Sequence, residues 1–284
     1  MNSSNDHLYG LAADPNLVSP IGIFAGPWAH RDLIFRLARR EVQARYKDSM
    51  LGIVWSVLMP LAMLAVYTFV FGRVFHSKWD VPDERHNKFF LIVFSGLIVV
   101  NLFSSCVGRA PTLMLSNVSY IKKVVFPLEI LPLVVVVSES FDALMSSIVL
   151  ALGYLFFIGL PPITTLLIPV IVIPFLVMIV GMVWFISALG VYLRDLRQLV
   201  AVILGVIGLL CPMFYPLSGF REEFRWIFFL NPLTTVLEQV RHVLFYGRMP
   251  NWSLFIVYFL LSWTFAYLAR LWFTHAQRGF ADVV

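Results

Sequence analysis

Glu139 and Asp142 stand three residues apart in an otherwise uncharged stretch, so on a helix they share one face. If that helix crosses a membrane, each acid costs about 2.5–3.5 kcal/mol to insert, which makes the pair a candidate functional site. No basic residue is expected inside any membrane span. The two acids are therefore expected to face an interior, a water-filled cavity or a neighbouring subunit. Hydrogen bonds to Ser138, Ser140 or Ser146 with one acid protonated would satisfy them, and so would a proton relay. A second pattern is the i+4 row Trp55, Met59, Met63, Tyr67 and Phe71, which stacks along one slowly spiralling helix face. Two readings of it stand: a lipid-facing or helix-packing stripe, and a wall along which sugar rings slide, with C–H surface against π-faces and hydroxyls bonded by Tyr and Trp.

Catalytic signatures are missing. There is no HExxH, no GxSxG elbow and no CxxC, and no lysine follows a glycine, so the chain carries no phosphate-cradling loop of the Walker type. The six histidines lie in arms and loops without ligand spacing, so neither catalytic residues nor a metal site are expected. Cys106 and Cys211 each sit in an apolar run and read as small buried hydrophobes. Any nucleotide that drives this chain must be bound and hydrolysed by another one.

Composition says what must position these residues. The 284 residues are 60% hydrophobic and only 13% charged, against about 45–50% and about 25% in a soluble domain. Such a chain cannot cover a folded surface with groups that water solvates, so lipid must be its main solvent. The expected fold is all-α and integral to the membrane. With about 20 residues needed per crossing, the uncharged runs predict six spans, at 50–72, 89–108, 130–158, 165–190, 198–216 and 250–270. Gly159-Leu160-Pro161-Pro162 marks the turn between the third and fourth.

Six spans put both termini on one side. With that side cytoplasmic, it holds 13 of the 21 basic residues: six in 31–47, then Arg109, Lys122, Lys123, Arg194, Arg197, Arg270 and Arg278. This bias favours cytoplasmic termini. The segment between spans five and six contains Trp226 to Leu237, uncharged but too short to cross. Asn231-Pro232 breaks it, predicting two short helices at about 218–229 and 232–245. They read as re-entrant outer helices, or as an outer loop with a buried apolar side.

Before the first span, 28–49 forms a basic amphipathic helix. Arg36, Arg39, Arg40 and Lys47 lie opposite an apolar stripe of Leu33, Ile34, Leu37, Ala38 and Tyr46. It is expected in the cytoplasmic interface, holding anionic lipid and fixing topology or docking a cytoplasmic partner. Residues 1–27 read as an irregular N-terminal arm.

Several segments, in order, resemble the membrane subunit of polysaccharide ABC exporters of the ABC-2 permease type, which export O-antigen, capsule or teichoic acid chains. They are Arg39-Arg40-Glu41-Val42-Gln43-Ala44-Arg45-Tyr46 followed by Leu51-Gly52-Ile53-Val54-Trp55 and Pro60, then Ile121-Lys122-Lys123-Val124-Val125-Phe126-Pro127-Leu128-Glu129 with Pro132, then Tyr192-Leu193-Arg194-Asp195, and Asn231-Pro232. The resemblance covers about residues 30–275 and leaves the arm outside.

What it implies is a half-transporter in the bacterial inner membrane, a homodimer over two copies of a cytoplasmic nucleotide-binding subunit that carries ATP and Mg. Residues 50–275 would form the six-span domain. Arg36, Arg40, Arg45, Tyr120, Lys122, Lys123, Arg194 and Asp195 would contact the ATPase. Trp55, Met59, Tyr67 and Phe71, with Phe214 and Tyr215, would line the path of a lipid-linked polysaccharide. The helices around Asn231 and Pro232 would form the outward gate. Against this stand a proton-coupled secondary transporter using Glu139 and Asp142, a membrane enzyme acting on a lipid-linked sugar, and an ABC-2 exporter of a lipid or drug. No nucleic acid partner is expected.

Overall fold

Backbone amides in hydrocarbon have no water to bond, so a long uncharged run satisfies them by closing on itself as a helix. The computed structural model describes residues 23–47, 49–70, 89–122, 126–215 and 221–283. Among these it is all-helical, with five helices long and apolar enough to cross a membrane. Helix α1 is the short Ala25–Ala29 and α2 is Arg31–Tyr46. Helix α3, Trp55–Tyr67, continues through Val70 in a crossing segment that begins at Gly52. Next come α4 (Phe89–Leu113), α5 (Val118–Ile121), α6 (Leu131–Phe157) and α7 (Ile168–Tyr192). Then follow α8 (Leu196–Leu209), α9 (Glu222–Phe229), α10 (Pro232–Leu244), α11 (Trp252–Ala276) and α12 (Phe280–Val283).

The expected fifth span is the exception. Helix α8 has 14 residues, about 21 Å at 1.5 Å each, short of a hydrocarbon layer of about 30 Å. The chain turns at Leu210 because Pro212 lacks an amide proton and disfavours helix at the residue before it. Residues 216–220, the rest of that segment, lie outside the described residues. The second span is longer than its uncharged run, since α4 carries Arg109 within its last turns. A basic residue therefore does lie on a spanning helix, contrary to expectation.

Helix α4 is the centre of the bundle. It packs against α6, α7, α8 and α10, and two thirds of its most apolar window is buried. The main core combines Phe103, Cys106 and Val107 of α4 with Ile179, Val183 and Trp184 of α7. Among the described residues, α11 pairs along α7 more extensively than any other two helices pair. Span α3 stands apart, with only 11% of its window buried.

One crossing sets the spacing of the bundle. A Cβ added at Gly190 of α7 would collide with the Pro111 carbonyl oxygen of α4, so the backbones touch. Gly190→Ala must push α4 and α7 apart and is expected to cost about 3 kcal/mol, at the upper end of overpacking. A melting curve of the purified variant checks this, and an unchanged midpoint would contradict the contact.

At the far end, Gly159 takes φ +113° and lets α6 break into the turn before Pro161-Pro162. Helix α10 is inserted there among protein. Thr164 Oγ1 donates to the Val243 carbonyl at 2.6 Å and Tyr154 Oη to that of Leu244 at 3.1 Å. Asn231 caps α10 by accepting from Leu233 N at 3.0 Å, and Pro232 occupies its first turn.

Candidate functional site

The end of the molecule opposite α10 gathers the charge. Helix α2 runs beside the first half of α6, with Ile34 and Ala38 packed on Ile130 and Val134. Its apolar face is thus buried on protein rather than presented to lipid, because α6 supplies a complementary row. That docking brings Arg45 onto the two acids. Arg45 Nη2 meets Glu139 Oε1 at 3.0 Å, and Arg45 Nη1 pairs with Asp142. Arg109 of α4 donates to Glu139 Oε1 at 2.6 Å and also pairs with Glu41 of α2. Tyr46 Oη donates to Asp142 Oδ1 at 3.0 Å. Burial, aided by this hydrogen bond, pushes the Tyr46 phenol up to about 12, so it remains a donor.

Two guanidiniums and three carboxylates from three helices therefore form one network, and the acids do not depend on the serines. Ser138, Ser140 and Ser146 donate instead to the carbonyls of Val135, Val136 and Asp142 on their own helix. The helical stretch Leu128–Phe157 has 30 residues, about 45 Å, and Asp142 and Glu139 stand near its middle, where the C-terminal end of α2 reaches them.

Above the network, α3 leans on α4 and α6 across a cleft of about 610 Å³. Trp55, Met59, Met63 and Tyr67 line one wall, all on the i+4 row. Arg45, Tyr46, Asp142 and Ser146 line the same cleft. One end is therefore charged and the wall leading away from it is aromatic. Such a cleft can hold a chain with both apolar C–H faces and hydroxyls, through many weak contacts and no fixed pocket. Phe71 lies outside the described residues. Phe214 and Tyr215 do not line this cleft; Tyr215 donates to the Leu209 carbonyl at 3.0 Å and packs edge-on against Phe228.

Residues 32–245 match the ABC-2 type transporter family. The chain belongs to that family. It is also similar to proteins named O-antigen export system permease protein RfbA. One from Klebsiella pneumoniae is 26% identical over 255 residues, covering 89% of this chain and 95% of the relative. A second from the same organism is 28% identical over 230 residues, covering 80% and 86%. One from Myxococcus xanthus is 26% identical over 264 residues, covering 90% and 97%.

In this ABC-2 transporter chain the other expected partner contacts cluster at the charged end. Arg40 donates to Tyr120 Oη at 3.1 Å, and Tyr120 stacks on Phe126 at 4.4 Å. Arg36 is exposed and bonds the Asp32 carbonyl. Lys122, Arg194 and Asp195 are exposed, and Asp195 precedes α8. Lys123 lies outside the described residues.

Asn231 of the expected gate is buried and donates to the Ile207 carbonyl at 2.8 Å, tying α10 to α8. Sequence reasoning missed Glu41 and Arg109 as network members. Glu41 stands four residues before Arg45, and Arg109 is the lone charge between Phe89 and Ile121; both were signals. Arg241 was missed as well. It lies in the segment between the fifth and sixth expected spans, yet it is wholly buried and bonds Glu238 and the carbonyls of Pro212 and Met213.

Proposed function

We propose that this chain is the membrane half of an ATP-driven exporter that moves a lipid-linked polysaccharide of the O-antigen class across the bacterial inner membrane. The observation that carries this reading is the similarity to O-antigen export permeases over 86–97% of their lengths. The cleft supports it: an aromatic wall about 18 Å long between Trp55 and Tyr67 suits a polymer that must slide. In this reading two copies pair with α3 and α8 toward each other, which accounts for how little of α3 is buried within one chain. In the same reading α8 contributes to a sixth crossing, both termini are cytoplasmic, and α9 and α10 form the outer gate.

Two copies of a separate ATPase, which hold ATP and Mg, dock beneath on α2, the Tyr120–Lys122 segment and the Arg194-Asp195 turn. Their closure pushes on α2, and the Arg45–Glu139–Arg109 network hands that movement to α4 and α6. Both intramembrane acids are engaged by guanidiniums, an arrangement suited to a mechanical link. That disfavours a proton relay.

The test is reconstitution with the cognate ATPase in vesicles. ATP should drive polymer inward without a proton gradient. The double variant Trp55→Ala/Tyr67→Ala should lower export at least tenfold while the ATPase still co-purifies. Export by the lone chain, or export abolished by collapsing a proton gradient, would sink this reading. Export of a lipid or drug in place of polymer would overturn the substrate assignment.

A further inference from the structure

The chain just before α2 is seated in the core. Ile23 is 1% exposed. Phe24 stacks on Trp184 of α7 with centroids 6.0 Å apart and meets Trp263 of α11 edge-on at 5.7 Å. Gly26 backs onto an ion pair: a Cβ added there would stand 2.9 Å from both Arg270 Nη2 and Glu129 Oε1. Arg270 and Glu129 are themselves 3.1 Å apart, with the guanidinium nearly buried. Trp184 Nε1 donates to the Glu129 carbonyl at 3.0 Å, and the Arg270 guanidinium carbon lies 6.0 Å from the Trp184 ring. The N-terminal segment, the 128–130 turn, α7 and α11 thus converge on one guanidinium.

This node lies at the opposite end of α2 from Arg45. A 16-residue helix, about 24 Å long, is therefore pinned at both ends, to α7 and α11 at one and to α4 and α6 at the other. Gly26 thus ties the chain entering α2 to the turn that carries Glu129.

We propose that residues 23–29 are a strap that positions α2 and the 126–130 turn, with α5 beside them, as one preformed docking surface for the ATPase. Phe24 and Gly26 are positioning residues that act through Glu129 and Arg270. This rests on the export reading above, since it takes the ATPase as the partner. Preorganisation lowers the ordering cost of binding, so losing the strap weakens docking without removing any contact residue.

The experiment uses the full chain in vesicles, with export measured against ATPase concentration. Phe24→Ala and Gly26→Leu are expected to raise the ATPase concentration for half-maximal export at least tenfold and to leave the maximal rate within twofold. Phe24→Tyr, which keeps the ring between the two tryptophans, is expected to titrate like the parent chain. A lower maximal rate with unchanged half-saturation would mean a merely structural role and overturn the proposal, as would wild-type titration by both variants. If Gly26→Leu fails to insert, the Phe24→Ala and Phe24→Tyr pair gives the answer. Failure of the parent chain to bind any ATPase sinks the export reading itself, a different outcome.

Discussion

Arg45→Met is expected to abolish ATP-driven export while the chain still inserts and still binds its ATPase. Among the described residues, Arg45 is the one side chain that touches both intramembrane acids. Its loss leaves Arg109 alone against Glu41, Glu139 and Asp142, a net of two uncompensated negative charges. Breaking a fully buried pair costs about 3–5 kcal/mol. Glu139 is 9% exposed, but Arg45 and Asp142 keep about a third of their side-chain surface, and solvent there screens part of the loss. A destabilisation of about 2–3 kcal/mol follows, a melting shift of roughly 5 °C.

The effect on transport is larger than the effect on stability, because α2 would then lose its direct charged bridge to α6 and keep only the Tyr46–Asp142 hydrogen bond and the indirect link of Glu41 through Arg109 to Glu139. Asp142→Asn in the Arg45→Met background should recover part of the stability and none of the export. A double-mutant cycle measures that coupling. Additive effects of Arg45→Met and Asp142→Asn would show that the pair does not act as a unit.

Arg241→Met is expected to be the most destabilising single change at the other end, at about 3–5 kcal/mol. The guanidinium is 0% exposed and bonds the Pro212 carbonyl at 2.7 Å, the Met213 carbonyl at 3.0 Å and Glu238 at 2.9 Å. Methionine fills the volume but leaves two carbonyls and a carboxylate to be buried or hydrated. Arg241→Lys should not rescue it, since an ammonium cannot present the planar fork that spans these acceptors. Glu238→Gln, on a side chain 22% exposed, should cost only about 1 kcal/mol. Because these bonds hold the turn after α8 against α10, limited proteolysis of Arg241→Met should cut first near 211–215. A variant that melts with the parent chain would remove Arg241 as the clasp of this region.

Much of the architecture was legible from local pattern. Helices Glu222–Phe229 and Pro232–Leu244 appear close to where the Asn231-Pro232 break predicts them, because a proline and the residue before it constrain the backbone wherever they occur. The break at Gly159 to Pro162 separates α6 from α7 for the same reason. The amphipathic stripe of α2 is real, with Ile34, Ala38 and Val42 buried. What covers it was not legible, since α6 and a lipid layer are equally apolar to a periodicity. The length of α8 was misread because hydropathy carries past Leu209 while Pro212 ends the helix.

By itself, then, the sequence determined that this protein lives in lipid, where its helices begin and break, and which faces hold aromatic or charged residues. Those properties depend on solvation and on backbone sterics over a few residues. Only the tertiary structure decided what the scarce charges do. Arg45 lies 94 residues from Glu139 and 97 from Asp142, and Arg270 lies 141 from Glu129; no local pattern links residues so far apart. In a medium that cannot solvate an ion, each acid must find its partner through packing. The partners the helices bring together at the charged end form a strut held at both ends.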